Sequence, residues 1–171
     1  MNISLVTIAD LPVLTAIEKS AAQAFLETDD LAWLAEGEVQ SLERHRILMY
    51  SGTNWAARND CGEPVGFISA EETGDELHIW ELSVHRDYQG SGIGRALVKK
   101  AIESARTKHL SAVTLTTFRD VPWNAPFYKR LGFRTLELDN MPERLKGILE
   151  AERAHGLPPD RRCAMAMSLL E

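Results

Sequence analysis

Residues 76–97, ELHIWELSVHRDYQGSGIGRAL, constrain the fold more than any other part of the chain. The stretch opens with apolar and polar side chains in alternation, the period of a half-buried strand. Glycines then stand at alternate positions, Gly90, Gly92 and Gly94, and an amphipathic run follows them. In that run Leu97, Val98, Ala101, Ile102 and Ala105 fall on one side of a helix beginning near Gly92. A strand, a glycine loop and a helix in that order suit an anion. Glycines reach positive φ and let the backbone approach a ligand closely. The helix adds unpaired N–H groups and the positive end of its dipole, with Arg86 and Arg95 at the rim. The same glycines also serve a plain turn, and spacing alone leaves both readings open.

Two familiar phosphate loops are excluded. A P-loop needs Gly-Lys-Ser/Thr, and Gly94 is followed by Arg95 and Ala96. The dinucleotide fingerprint GxGxxG fails because the spacing is GxGxG. The strand ahead of the loop also ends a meander. The segment 53–84 holds three β-rich stretches separated by NDCGEP and ETGDE, which are turn compositions.

Elsewhere, a short strand is expected to run to about Ala9, with Asp10 as N-cap of a helix over 11–25. Residues 28–50 read as a second helical region with Leu31, Leu34, Val39 and Leu42 on its apolar face. A β-branched strand (SAVTLTTF), a short helix ending near Gly132, a strand (RTLELD), a helix closed by Gly156 and a final strand (RRCAMAMSLL) complete the order. The final strand is expected to offer an edge for pairing and hence for a homodimer. This order is mixed α/β with an antiparallel meander, not a doubly wound parallel sheet.

A chain of 171 residues is expected to form one domain, 1–171. The formal charge of −6 argues against a nucleic-acid surface and is compatible with cationic substrates. Cys61 and Cys163 lie far apart, and the five histidines have no ligand spacing, so free thiols and no metal are expected. No apolar run approaches a membrane span, and the first residues lack the features of a signal peptide. A cytoplasmic protein without membrane contact is the expectation.

At the glycine loop the sequence resembles the GNAT superfamily of N-acetyltransferases. Gln89, Gly90, Ser91, Gly92, Ile93 and Gly94 match the family's Arg/Gln-x-x-Gly-x-Gly/Ala loop. The segments IWELSVHRDYQGSGIGRALV and FYKRLGFRTLEL resemble its strand–loop–helix and its later Tyr-containing helix with the strand behind it. The resemblance implies a mostly antiparallel sheet of about six to seven strands, flanked by helices and splayed between the strands around 76–84 and 111–118. It implies acetyl-CoA as co-substrate, its pyrophosphate held by residues 89–95 including Arg95. Leu82, Ser83 and Val84 would hold the pantetheine arm as a partner strand does, with a bulge aiming N–H groups at the thioester oxygen. Tyr128 would protonate the leaving thiolate, with Phe127 beside it as a further contact to the cofactor. The family's usual Asn, seven residues before that Tyr, is Val121 here, and the nearest, Asn124, would reach the cofactor arm from a shifted position.

The acceptor implied is a primary amine on a small or amino-acid-like molecule. A protein N-terminus, or a non-catalytic acyl-CoA sensor, is the alternative. Glu81, immediately before Leu82, is the candidate base; the other reading is a solvated carboxylate or one paired with an arginine. Glu27, Asp29 and Asp30 either orient a cationic acceptor or cap and solvate a loop. Trp33 and Trp80 are candidates for the acceptor wall, and equally for ordinary core.

Overall fold

The computed structural model describes residues 1–170. In chain order it has β1 (Asn2–Leu5), α1 (Leu11–Ala22), α2 (Leu42–Tyr50), β2 (Asn54–Arg58), β3 (Pro64–Thr73), β4 (Glu76–Val84) and α3 (Ile93–Thr107). Then come β5 (Ala112–Phe118), α4 (Ala125–Arg130), β6 (Arg134–Thr135), α5 (Glu143–Ala154) and β7 (Arg162–Ser168). The strands form one mixed sheet in the order β1-β2-β3-β4-β5-β7-β6. β1 with β2 and β2 with β3 are antiparallel, and a two-residue turn at Gly74 and Asp75 leads into β4. The ladder of β4 with β5 is parallel and covers only Glu76↔Ala112 to Ile79↔Leu115.

The chain divides into two bodies at this point. Met1–Glu72 with Trp80–Ser104 make the first, and Thr73–Ile79 with the chain from Ala105 onward make the second. In the first, Leu11, Leu14 and Ile17 of α1 pack with Val6, Ala56 and Phe67. Burying each of these side chains other than Ala56 contributes about 1.5–3 kcal/mol. Beneath α2, His45 Nε2 lies 2.6 Å from Glu18 of α1, whose other oxygen accepts the Gln40 N–H at 3.1 Å. In the second body α5 packs Leu145 with Met141 and Ala164, and Leu136, Ile148 and Leu149 flank them.

Several local expectations need correction. β1 stops at Leu5, and Ile8–Asp10 form a 3-10 turn instead. Asp10 precedes α1, but its carboxylate does not cap that helix. It accepts from the Thr7 N–H at 2.8 Å and from both Arg58 nitrogens at 2.9 and 2.7 Å. Burial raises the pKa of Asp10, but Arg58 and Thr7 outweigh it and hold the carboxyl below its ordinary 3.8. α1 ends at Ala22 and continues only as a 3-10 turn, Gln23–Glu27.

Residues 28–50 are two pieces, the 3-10 helix Ala32–Glu36 and α2. Gly37 is extended after the first, and Ser41 restarts the chain as an N-cap by accepting the Arg44 N–H. Leu42 is therefore exposed, off the apolar face. The strand expected over RTLELD pairs only at Arg134 and Thr135, because Leu138–Asn140 turn as a 3-10 helix. β7 is interior, between β5 and β6. Its expected free edge is taken by β6 at Met165 and Ala166 and by the Leu136 N–H at Ala164.

Candidate functional site

In the first body, the second half of β4 leads into the glycine loop. The His85 N–H donates to the Val65 carbonyl at 2.8 Å and ends the sheet contact of this strand. Arg86–Tyr88 then turn as a 3-10 helix, with the Arg86 N–H donated to Ser20 Oγ of α1 at 3.0 Å. The Gln89 amide closes the loop on itself by donating to the Val84 carbonyl at 3.0 Å. Gly90 and Gly92 have φ of 76° and 85°, the left-handed region. A Cβ there would meet no atom within 4 Å, so backbone conformation alone demands glycine. Gly94 lies inside α3 and carries no such demand.

The first bond of α3 runs from the Ala96 N–H to the Gly92 carbonyl. Among the described residues, no hydrogen bond engages the N–H groups of residues 90–95. The first turn of a helix always leaves such donors, and the two left-handed glycines extend the run backwards into the loop. Ile93 anchors this corner. Its Cγ2 would lie 3.0 Å from a Cβ on Gly66, so only glycine at that point of β3 lets the helix start so close to the sheet.

Leu82 and Val84 are half-buried on β4, and Ser83 is buried. Strand alternation puts Glu81 on the Ser83 face, where its carboxylate accepts the Ser83 hydroxyl at 2.7 Å. Trp80 is on the other face. Its Nε1 donates to Glu71 at 3.3 Å, and the Arg44 guanidinium lies over its ring at 5.2 Å. Glu27, Asp29, Asp30 and Trp33 are all exposed on the segment between α1 and α2. So Trp80 and Glu81 are neighbours that serve opposite faces.

In the second body, Tyr128 is buried on α4, with ring edges against Phe127 at 5.0 Å and Phe133 at 5.6 Å between centroids. Asn124 begins this helix, its carbonyl accepting the Tyr128 N–H at 3.1 Å. The Asn124 Nδ2 donates to the Trp123 carbonyl, while its buried Oδ1 has no partner. Buried polar atoms are nearly always paired, so that oxygen is left for a partner the chain itself does not supply. Val121, at the position of the missing asparagine, is buried. It cannot substitute.

Also in the second body, His78 Nδ1 lies 2.8 Å from Thr114 Oγ1, which accepts from Arg144 at 3.0 Å. Burial, and then the charge of Arg144, depress the His78 pKa to about 3. Sequence reasoning passed over Ser20, Arg44 and Gly66. An isolated glycine within a strand was the available signal for Gly66. Ser20 and Arg44 had none, because their partners lie 66 and 36 residues away (86 − 20 and 80 − 44).

The model of the acetyltransferase (GNAT) family matches residues 15–133, more than half of the chain. A protein named as an uncharacterized N-acetyltransferase in Methanocaldococcus jannaschii is 37% identical over 84 residues, covering 45% of this chain and 37% of its own. The chain spans about two fifths of the length of the curated relatives it matches first, 37% to 42%. The PaiA N-acetyltransferase of Thermoplasma acidophilum, solved with coenzyme A, aligns with a TM-score of 0.70 at 16% identity over 98% of both chains. N-acetylglutamate synthase from Neisseria gonorrhoeae, solved with coenzyme A and N-acetyl-glutamate, aligns at 0.72 and 19% identity, over 99% of this chain and 35% of that one. At those identities the two structures speak for the fold.

Proposed function

Since the chain belongs to the acetyltransferase (GNAT) family, we propose that it transfers the acetyl group of acetyl-coenzyme A directly to a primary amine of a small molecule. The observation that carries the reading is the run of unengaged N–H groups over residues 90–95, at the start of α3. Donors without a partner suit the pyrophosphate, and Gly90 and Gly92, left-handed and without side chains, would give that anion close access. Leu82, Ser83 and Val84 present the strand along which the pantetheine arm would lie. The unpaired Oδ1 of Asn124 would accept an amide N–H of that arm.

The chemistry assigned to the chain is positioning and proton movement. The amine nitrogen attacks the thioester carbonyl carbon, an N–C bond forms, and the C–S bond breaks. The leaving thiolate takes the hydroxyl proton of Tyr128, a phenol whose ordinary pKa of about 10 keeps it protonated at neutral pH, and the second proton shed by the nitrogen as the amide forms restores the phenol. A free aliphatic amine, pKa about 10.4, arrives protonated and must first lose a proton. Glu81 is the proposed acceptor of that proton through water, because it immediately precedes Leu82, where the segment assigned to the arm begins.

Coenzyme A release against a library of primary amines tests the reading, alongside calorimetric binding of acetyl-CoA. Release with at least one amine, together with binding weakened by about ten- to a hundredfold in Gly92→Val, is the expected result. Binding without release from any amine would favour a sensor instead.

A further inference from the structure

We propose that Arg44, stacked on Trp80, is a binding subsite for a carboxylate carried by the acceptor, so that the acceptor is an amino acid or a close relative of one. The inference rests on the acetyl-transfer reading above and narrows its substrate class.

Arg44 stands in the first turn of α2, half-buried, its own N–H held by Ser41 Oγ at 3.1 Å. Its guanidinium carbon is 5.2 Å from the Trp80 ring centroid, and among the described residues the guanidinium makes no hydrogen bond or ion pair. Nearby arginines behave differently. Arg46, two residues on and exposed, gives two N–H groups to Glu43 at 3.0 and 2.8 Å. Arg58 grips both oxygens of Asp10 at 2.9 and 2.7 Å. Glu71, the carboxylate beside Trp80, accepts from the indole N–H and not from Arg44.

A half-buried guanidinium has surrendered part of its water, and that costs free energy unless an anion replaces it. Its planar fork matches a carboxylate in two parallel hydrogen bonds, where an ammonium would present only a point charge. Stacking on an aromatic ring holds the plane while leaving its edges free for such a partner. The Glu71 bond fixes the indole in turn, so the fork is oriented before any ligand arrives. Trp80 precedes Leu82 by two residues on the same face of β4, about 6–7 Å along the strand. Leu82 begins the segment assigned to the pantetheine arm. Trp80 and the guanidinium over it therefore stand beside that segment, on the Leu82 face of the strand.

The test assays each standard amino acid against its own carboxamide at saturating acetyl-CoA, with wild type, Arg44→Met and Arg44→Lys. The methionine keeps an apolar stem on the indole and removes the charge; equal thermal melts establish that the variants fold. In wild type at least one amino acid is expected to exceed its carboxamide by about ten- to a hundredfold in kcat/KM, the range of a charged hydrogen-bonded pair. That preference runs against intrinsic reactivity, because the carboxamide has the less basic and more readily deprotonated amine. Arg44→Met is expected to erase it through the KM of the acid, leaving the KM of acetyl-CoA unchanged, and Arg44→Lys to restore part of it. Equal use of acid and carboxamide by wild type overturns the proposal. So does an equal loss of both in Arg44→Met, or a raised KM for acetyl-CoA, which would give Arg44 to the cofactor. Silence toward every amine, charged or neutral, would instead sink the acetyl-transfer reading on which the subsite depends.

Discussion

The glycine loop of the first body and the Tyr128 helix of the second offer different kinds of group to the ligands proposed for them. The loop works with backbone. Its donors are main-chain N–H groups, and its side chains mainly hold the loop shut, as Gln89 does on Val84. The α4 region works with side chains: a buried phenol between two phenyl rings, and a buried amide oxygen without a partner. A site made of backbone survives most substitutions that preserve φ and ψ, whereas one made of side chains fails when a single atom is removed.

The sharpest way to break that contrast is Tyr128→Phe, which deletes one oxygen and keeps the ring packing. It is expected to leave the fold and acetyl-CoA affinity intact while lowering kcat by roughly ten- to a thousandfold, the range of a general acid. Steady-state kinetics and calorimetry on the same preparation decide it, and near-normal turnover would make the hydroxyl structural only. Gly92→Val should act on the loop in the complementary way. A β-branched residue at φ of 85° carries a strain of about 1–3 kcal/mol. The KM for acetyl-CoA should then rise by about ten- to a hundredfold, with the melting temperature only slightly lowered. Gly92→Ala, which carries less of the left-handed strain and adds little bulk, is expected to raise that KM less than Gly92→Val.

A pH experiment extends the comparison to stability. His78, in the second body, is held at about 3 against an ordinary 6.5. Between those values the unfolded chain binds a proton that the folded chain refuses. Stability is therefore full above 6.5 and declines as pH falls toward 3. His78→Gln should flatten the dependence of the urea midpoint between roughly pH 6.5 and 4. An unchanged slope would move the acid sensitivity to other groups. Asp10 acts in a lower window. Its depressed pKa gives stability that is present above 3.8 and is lost as pH falls further.

The smallest effect is expected from Glu81→Gln. Its turnover should drop by less than about tenfold at neutral pH, a water-mediated base giving less than the usual contribution. The loss should shrink as pH rises and the amine deprotonates unaided. A loss constant across pH would take the base role away from Glu81.

What the sequence determined unaided is what local chemistry encodes. Gly90 and Gly92 require a left-handed backbone wherever the chain goes, and the spacing of Leu97, Val98, Ala101, Ile102 and Ala105 defines a helix face from within. The strand–loop–helix reading and the meander before it were legible for that reason. Tertiary structure decided what depends on partners distant in the chain. RRCAMAMSLL reads as a strand in any setting, but whether β6 covers its edge depends on residues some thirty positions earlier. Asp10 has the composition of a helix cap, yet Arg58 offers its carboxylate two charged hydrogen bonds, which are stronger than a cap supplies. Arg44 reads as one more surface charge on an amphipathic helix until the fold sets it over Trp80. Backbone preferences are short-ranged and leave their mark in adjacent residues. A guanidinium stacked on an indole belongs to two segments that only the folded chain brings together.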